Sequence, residues 1–172
     1  VSFQTRILLL LDAMVKHELA VSFDVVREKN LDQLKLLNNV IFPVKYADEI
    51  YRQCMACGDL TQLAFHNDIL VGAIATRCEK QHNGKAKAYI ATLGILAPYR
   101  SLGIGSKLLA RTLAACAHDP NIEEVFVHVQ IDNDEAIRFY ERHGFQRGET
   151  VKDYYKKLSQ PDAVILTKKL TS

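Results

Sequence analysis

The chain has 172 residues, 48% of them hydrophobic and 24% charged, so it is about one domain long and can bury a core without a metal or disulfide. Its 22 Lys and Arg against 20 Asp and Glu leave a formal charge of +2, which argues against the basic block of a nucleic-acid binder. Four Cys make no disulfide scaffold, and the apolar run Ile7 to Leu11 is far short of the roughly 20 residues of a membrane span. The expectation is one soluble intracellular domain.

Residues 1–20 are expected to be an extension to a domain at 21–172. The chain opens on Val1, and two readings of the extension stay open: Met14 as the natural start, or a short amphipathic helix packed on the domain. Val21 to Val26 alternates with a β-branched and aromatic bias and predicts a first strand. Asn30 is expected to N-cap a helix carrying Leu31, Leu34, Leu37 and Ile41, with Pro43 ending it. Asp48 to Cys57 predicts a second helix stopped by Gly58. Leu60 to His66 and Ile69 to Glu79 read as strands joined by the tight turn Asn67-Asp68. Asn83-Gly84 marks another turn, before a long strand from Ala86 to Leu96.

After Pro98 the period becomes helical, with Ile104, Leu108, Leu109, Leu113 and Cys116 on one face as far as Pro120. Glu124 to Ile131 predicts a strand, Asp134 to His143 a helix stopped by Gly144, and Phe145 to Val151 and Ala163 to Lys169 the closing strands. The fold class is therefore α/β, with a strand-helix-strand crossover after an antiparallel meander.

The segment Leu96 to Lys107 leaves a strand, passes a Gly-rich turn and opens a helix. Such a turn aims free backbone N–H groups and the positive end of a helix dipole at one spot, which suits a phosphate or pyrophosphate. Gly103 and Gly105 permit close approach of an anion, and Arg100 and Lys107 add charge. It is not a P-loop, because Ser106 separates Gly105 from Lys107, nor a dinucleotide fingerprint, because Leu108 stands where a third Gly belongs. An ordinary strand-to-helix turn that uses two Gly is the alternative. Cys54-x-x-Cys57 has redox spacing but no thioredoxin-like strand before it and no second pair for zinc, so it is assigned to packing. No His cluster has metal-ligand spacing, and no metal is expected.

Arg100-x-x-Gly103-x-Gly105 between a strand and a helix resembles the acyl-CoA pyrophosphate loop of the GNAT acetyltransferase superfamily. Asn133-x-x-Ala136-x-x-Phe139-Tyr140-x-x-x-Gly144-Phe145 resembles its second signature, a helix lying along the CoA arm. Phe42-Pro43-Val44-x-Tyr46, Tyr89-Ile90-x-Thr92-Leu93-Gly94, Leu96-Ala97-Pro98-Tyr99-Arg100, Val127-His128-Val129-Gln130 and the pair Tyr154-Tyr155 are similar to the N-terminal acetyltransferases of the NatE type. The resemblance spans residues 21–170. It implies the GNAT fold, a mixed seven-stranded sheet with splayed central strands flanked by four helices.

It also implies acetyl-CoA as co-substrate, held by Leu93, Gly94, Ile95 and Leu96, by the turn Arg100, Ser101, Leu102, Gly103, Ile104, Gly105 and Ser106, and by Asn133, Ala136, Phe139 and Tyr140. Tyr89 and His128 would hold a water that takes the amine proton, and Tyr140 would protonate the departing thiolate. Phe42, Pro43, Val44, Tyr46, Tyr89, Ala91, Tyr154 and Tyr155 would bind the peptide, with an apolar slot for Met. Ala91 departs from the pattern, standing where those enzymes carry Met, and so leaves the slot's depth open.

The implied reaction is direct transfer to the α-amino group of peptides that begin with Met and a mostly hydrophobic second residue. An α-amine, with a pKa of about 7.7–8.0, is easier to deprotonate than a Lys at about 10.4. Lysine acetylation, or a weakly catalytic CoA-binding subunit, are the alternatives. Strand alternation predicts Tyr89, Ala91 and Leu93 on one face, and Phe126, His128 and Gln130 on one face of the next strand. Backbone N–H groups freed by the splay near Leu93 are candidates to polarise the thioester oxygen. The implied partners are nascent peptide N-termini, a helical-repeat auxiliary subunit and a second catalytic subunit at the ribosome, without nucleic acid or membrane. The implied location is the cytoplasm, with the nucleus left open.

Overall fold

The computed structural model describes residues 19–170, and both readings of the N-terminal extension fall on residues outside them. In chain order the elements are β1 (Ser22–Val25), α1 (Glu28–Ile41), α2 (Asp48–Ala56), β2 (Gln62–His66), β3 (Ile69–Lys80) and β4 (Ala86–Ile95). There follow α3 (Ile104–His118), β5 (Ile122–Gln130), α4 (Asp134–Arg142), β6 (Gln146–Val151) and β7 (Ala163–Lys169). The strands form one sheet in the order β1-β2-β3-β4-β5-β7-β6. Among the described strands only the β4–β5 pair is parallel, as the helical crossover between them requires. This is the seven-stranded α/β fold expected.

Local chemistry explains most boundaries. Asn67 and Asp68 adopt φ of 47° and 63°, the left-handed pair whose twist suits a two-residue hairpin. Gly58 and Gly144, at φ of 62° and 85°, follow the ends of α2 and α4. The start of α1 differs from expectation: Arg27 is the N-cap, and Asn30 lies inside the first turn. Asn30 Oδ1 accepts the Arg27 N–H at 2.7 Å while its Nδ2 donates to the Val25 carbonyl at 3.1 Å. The side chain thus caps the helix from the third position and ties it to β1, as in a capping box.

Two apolar layers cover the sheet. On one face Ile104, Leu108 and Leu109 of α3 and Ile137 of α4 pack on Ile74, Ile90, Val125, Val127 and Leu166. On the other, Leu34 and Leu37 of α1 and Tyr51 of α2 pack on Leu63, Leu70 and Ala73. In α3 Thr112 is fully buried along with Leu108, Leu109 and Cys116, while Leu113, expected on that face, is only partly covered. Thr112 is satisfied there because its Oγ1 donates to the Leu60 carbonyl at 2.9 Å.

Two irregularities in β4 shape the middle of the sheet. β4 and β5 pair from Ala86↔Ile122 to Ile90↔Val127 and then part. β4 stays on β3 as far as Ile95↔Gly72, and β5 on β7 as far as Gln130↔Ala163, so a V opens between them. Thr92 pairs with Ala75 and Ile90 with Thr76, which makes Ala91 the extra residue of a β-bulge. The bulge inverts the alternation. Ala88 and Ile90 face the α3–α4 layer, and beyond the bulge so do Leu93 and Ile95. Thr92 and Gly94 meet Asn38, Ile41 and Phe42 of α1 and its exit, on the side where Tyr89 contacts Arg77. The expectation that Tyr89, Ala91 and Leu93 share one face is therefore corrected.

Candidate active site

A cleft of about 440 Å³ opens where β4 and β5 part. Phe42, Pro43, Val44 and Tyr46, from the loop after α1, form one wall, with Ala91 and Leu93 of β4 beside them. His128 and Gln130 of β5 form the floor with Asn133, Ala136 and Tyr140 around the start of α4, and Tyr154 and Tyr155 close the far side. Every expected peptide-binding residue except Tyr89 lines this space, and Tyr89 lies just behind Tyr154.

The centre of the site is an aromatic cluster. The Tyr89 and Tyr154 hydroxyls are 2.8 Å apart. The Tyr154 ring stacks on His128 with centroids 4.1 Å apart and planes 5° from parallel, while Tyr89 meets His128 edge-on at 5.5 Å. Phe126 packs on Tyr89 at 4.9 Å, so Phe126, His128 and Gln130 do share a face. The Tyr155 hydroxyl donates to the His128 carbonyl at 3.1 Å. An extended pair of Tyr would point to opposite sides. Here the segment is a turn with Asp153 at φ 54°, and both rings reach the cleft.

Burial sets the protonation states. It pushes the Tyr89 phenol well above its ordinary range, with the bond to Tyr154 adding to the effect, so Tyr89 stays a neutral donor. Burial also lowers the His128 pKa below 6.5; the Glu79 carboxylate opposes the shift and the Arg77 charge supports it. His128 is thus neutral near pH 7, and its buried Nδ1 has no hydrogen-bond partner among the described residues. A neutral imidazole beside a neutral phenol is a proton acceptor beside a relay. Tyr140 is 5% exposed at the cleft, and burial raises its pKa too, so it enters any reaction as a protonated donor.

The loop after α1 is held at two points. Asn38 Nδ2 donates to the Tyr51 hydroxyl at 3.3 Å and reaches Thr92 Oγ1 at 3.5 Å. Phe42 lies directly over Gly94, where a Cβ would come within 3.0 Å of the ring. The Phe42 and Tyr46 rings then meet edge-on at 6.0 Å.

On the other side of the V, Ala97–Tyr99 makes a 3₁₀ turn and Gly103, at φ 79°, N-caps α3 in the left-handed region without a side-chain cap. The first N–H groups of α3 are therefore open to an anion. A Cβ on Gly103 would meet nothing within 4 Å, so backbone conformation rather than crowding calls for glycine there. Ser101 also adopts positive φ, and Arg100 Nε donates to the Ile95 carbonyl at 3.0 Å, folding the turn back on β4. Phe139 of α4 lies 3.8 Å from a Cβ built on Gly105, which brings the two expected CoA signatures together. Of the expected CoA residues, Leu93, Asn133, Ala136 and Tyr140 line the cleft, while Gly94, Ile95, Leu96, Leu102, Ile104, Ser106 and the rest of the turn lie outside its lining.

Sequence reasoning missed Arg77, whose guanidinium lies 4.8 Å over the Tyr89 ring and bonds Gln53 and Glu79. Nothing near Arg77 in the chain signals this; only the register that pairs it with Tyr89 does. Leu158, Lys156 and Lys157 also border the cleft.

Comparison with known proteins agrees with this geometry. Residues 27–145 match the Acetyltransferase (GNAT) family. N-alpha-acetyltransferase 50 of Danio rerio is 48% identical over 147 residues, covering 86% of this chain and 87% of that protein. The probable N-acetyltransferase san of Drosophila melanogaster is 43% identical over 145 residues, 84% of this chain and 78% of that one. Among solved structures, Arabidopsis thaliana Naa50 in complex with the bisubstrate analogue CoA-Ac-MVNAL has a TM-score of 0.80 and 48% identity, over 86% of this chain and 97% of that one.

Proposed function

The chain belongs to the acetyltransferase (GNAT) family, and we propose that it is an N-alpha-acetyltransferase that moves acetyl from acetyl-CoA to a peptide α-amine. One observation carries this reading: the V between β4 and β5 joins an uncapped helix N-terminus to an apolar slot across a neutral His–Tyr pair. The Arabidopsis relative, held with a CoA-acetyl-peptide analogue that begins Met-Val, supports the same pair of ligands here.

In this reading the CoA pyrophosphate rests on the first N–H groups of α3, and the acyl arm runs between β4 and α4 past Asn133 and Ala136. The peptide enters between the Phe42 loop and the Tyr154–Tyr155 turn, its Met side chain against Phe42, Val44 and Ala91. His128, with Tyr89 as relay, takes a proton from the α-amine, whose lone pair then forms the new C–N bond. The oxyanion is held by backbone N–H groups of β4 near Leu93, on the edge that β5 has left. The C–S bond breaks as the nitrogen sheds its second proton to solvent; Tyr140 protonates the CoA sulfur and regains a proton from the His128 imidazolium. Among the described residues no Cys or Ser lines the cleft, so transfer is direct in a ternary complex.

Because imidazolium accepts no proton, kcat at saturating peptide is expected to fall in acid along a limb whose midpoint lies below the ordinary imidazole value of 6.5, since the His128 pKa is lowered. A His128→Gln variant should be slow and lack that limb. A limb unchanged by the substitution would put the base elsewhere.

The defining assay compares a peptide with a free Met-Leu N-terminus against one with a blocked N-terminus and an internal Lys. Transfer to the first alone is expected, and transfer to the second alone would make the enzyme a lysine acetyltransferase. Ala91→Met is expected to shrink the slot and sharpen discrimination at the first residue, read as the ratio of kcat/KM for Met and smaller N-termini. We extend the reading to nascent chains at the cytoplasmic ribosome, with a helical-repeat auxiliary subunit and a second catalytic subunit. Co-purification of such subunits with the tagged chain tests this.

A further inference from the structure

A second cavity, of about 880 Å³, lies between the end of α2, β3 and α3, away from the peptide cleft. Two of the four cysteines, Cys57 and Cys78, line it. Cys57 ends α2, and its Sγ accepts the Cys78 backbone N–H at 2.8 Å. The Cys78 side chain lies beside the same sulfur and lines the same cavity. Both residues are partly exposed, whereas Cys54 and Cys116 are fully buried. The Cys54-x-x-Cys57 spacing is therefore misleading: Cys57 has a sulfur neighbour, but it comes from β3.

We propose that Cys57 and Cys78 form a reversible oxidation site, in which a hydroperoxide oxidises Cys57 and Cys78 resolves the product as a disulfide. The roles follow from the surroundings of each sulfur. The neighbouring Cys78 thiol, the Cys78 backbone N–H donated to the sulfur at 2.8 Å and the Arg77 charge together outweigh burial and bring the Cys57 pKa down to about 7, so it carries the thiolate. The neighbouring Cys57 and burial push the Cys78 thiol far up, so it stays protonated. The cavity also presents Asp59, Arg111, His118 and Asp119, so its mouth is polar and open to a small oxidant.

The Cys57 thiolate attacks one peroxide oxygen, the O–O bond breaks, and the other oxygen leaves as water after taking up a proton. The Cys78 sulfur then attacks the Cys57 sulfenic acid, forming the S–S bond and releasing a second water. In total two thiols and one hydroperoxide become a disulfide and two waters (a water and an alcohol from an alkyl hydroperoxide), and an added dithiol reverses it. A Sγ that touches the Cys78 main chain is already within reach of its side chain. Cys54 and Cys116 take no part, since burial raises their thiols to about 11 and about 12.

The test is mass mapping of the full-length chain after brief treatment with hydrogen peroxide and alkylation of the remaining thiols. The expected product is a Cys57–Cys78 cross-linked peptide, with two of the four thiols lost and both regained after dithiothreitol. Cys78→Ser should leave a sulfenic acid on Cys57 that dimedone traps. A Cys54–Cys57 linkage, or four intact thiols at a peroxide dose that oxidises free glutathione, would overturn the proposal. The wild-type map decides the matter even if a variant fails to fold.

Discussion

Replacing Tyr89 by Phe and His128 by Ala together is expected to lower kcat by about 10²–10⁴-fold, the usual contribution of a positioned acid–base system, while CoA affinity is unchanged. The two residues act as one unit, since Tyr154 bonds the Tyr89 hydroxyl and stacks on His128. Each single substitution should therefore cost nearly as much as the pair, the non-additivity typical of groups that share one step. CoA binding is spared because both side chains lie on the peptide side of β4 and β5, away from the turn before α3. Steady-state rates at saturating peptide, with calorimetric titration of CoA, read the two quantities separately. Turnover that survives the double change would remove these residues from the proton path. A parallel loss of CoA affinity would mean that the sheet itself had been disturbed.

Gly94→Ala is expected to lower kcat/KM for the peptide by about 5–150-fold, the equivalent of about 1–3 kcal/mol of overpacking. The added methyl would meet the Phe42 ring at 3.0 Å and Ile41 at 3.1 Å, so the loop that walls the slot must lift. In a Phe42→Ala background most of that cost should vanish, because the ring it strikes is gone. The cycle also separates two roles for Gly94. If CoA affinity falls instead, and Phe42→Ala does not rescue it, Gly94 serves the cofactor strand, as the family resemblance implied.

Much of the fold is legible because its signals are local. The Asn67-Asp68 turn, the glycines after α2 and α4, and the helical spacing of Ile104, Leu108 and Leu109 each act within a few residues. The aromatic and histidine residues of the cleft are legible as motifs. What escapes depends on pairing across the sheet. A bulge at Ala91 adds one residue to a strand without changing its composition, so alternation read along the chain continues past it wrongly. Asn30 suits the N-cap, where it would accept an N–H further along the helix, as well as the first turn, where it accepts the Arg27 N–H behind it, so residue type alone does not choose. Arg77 reaches Tyr89 by register, and Tyr154 and Tyr155 converge because their segment turns instead of extending.

The extra residue in β4 has a bearing on how such an enzyme can change. Before it, one set of side chains supports the α3–α4 layer, and after it a set of opposite parity does so. Ala91 belongs to neither set, yet its side chain borders the peptide slot. Its size can therefore drift with little consequence for either layer, and substrate choice can be retuned at one position without a matching repair in the core. Even deleting the residue would leave both layers in register. Ile90 and Thr92 already pair with the adjacent Thr76 and Ala75, so closing the bulge keeps Leu93 and Ile95 on the α3–α4 side and Thr92 and Gly94 on the α1 side, and the loss falls on the slot.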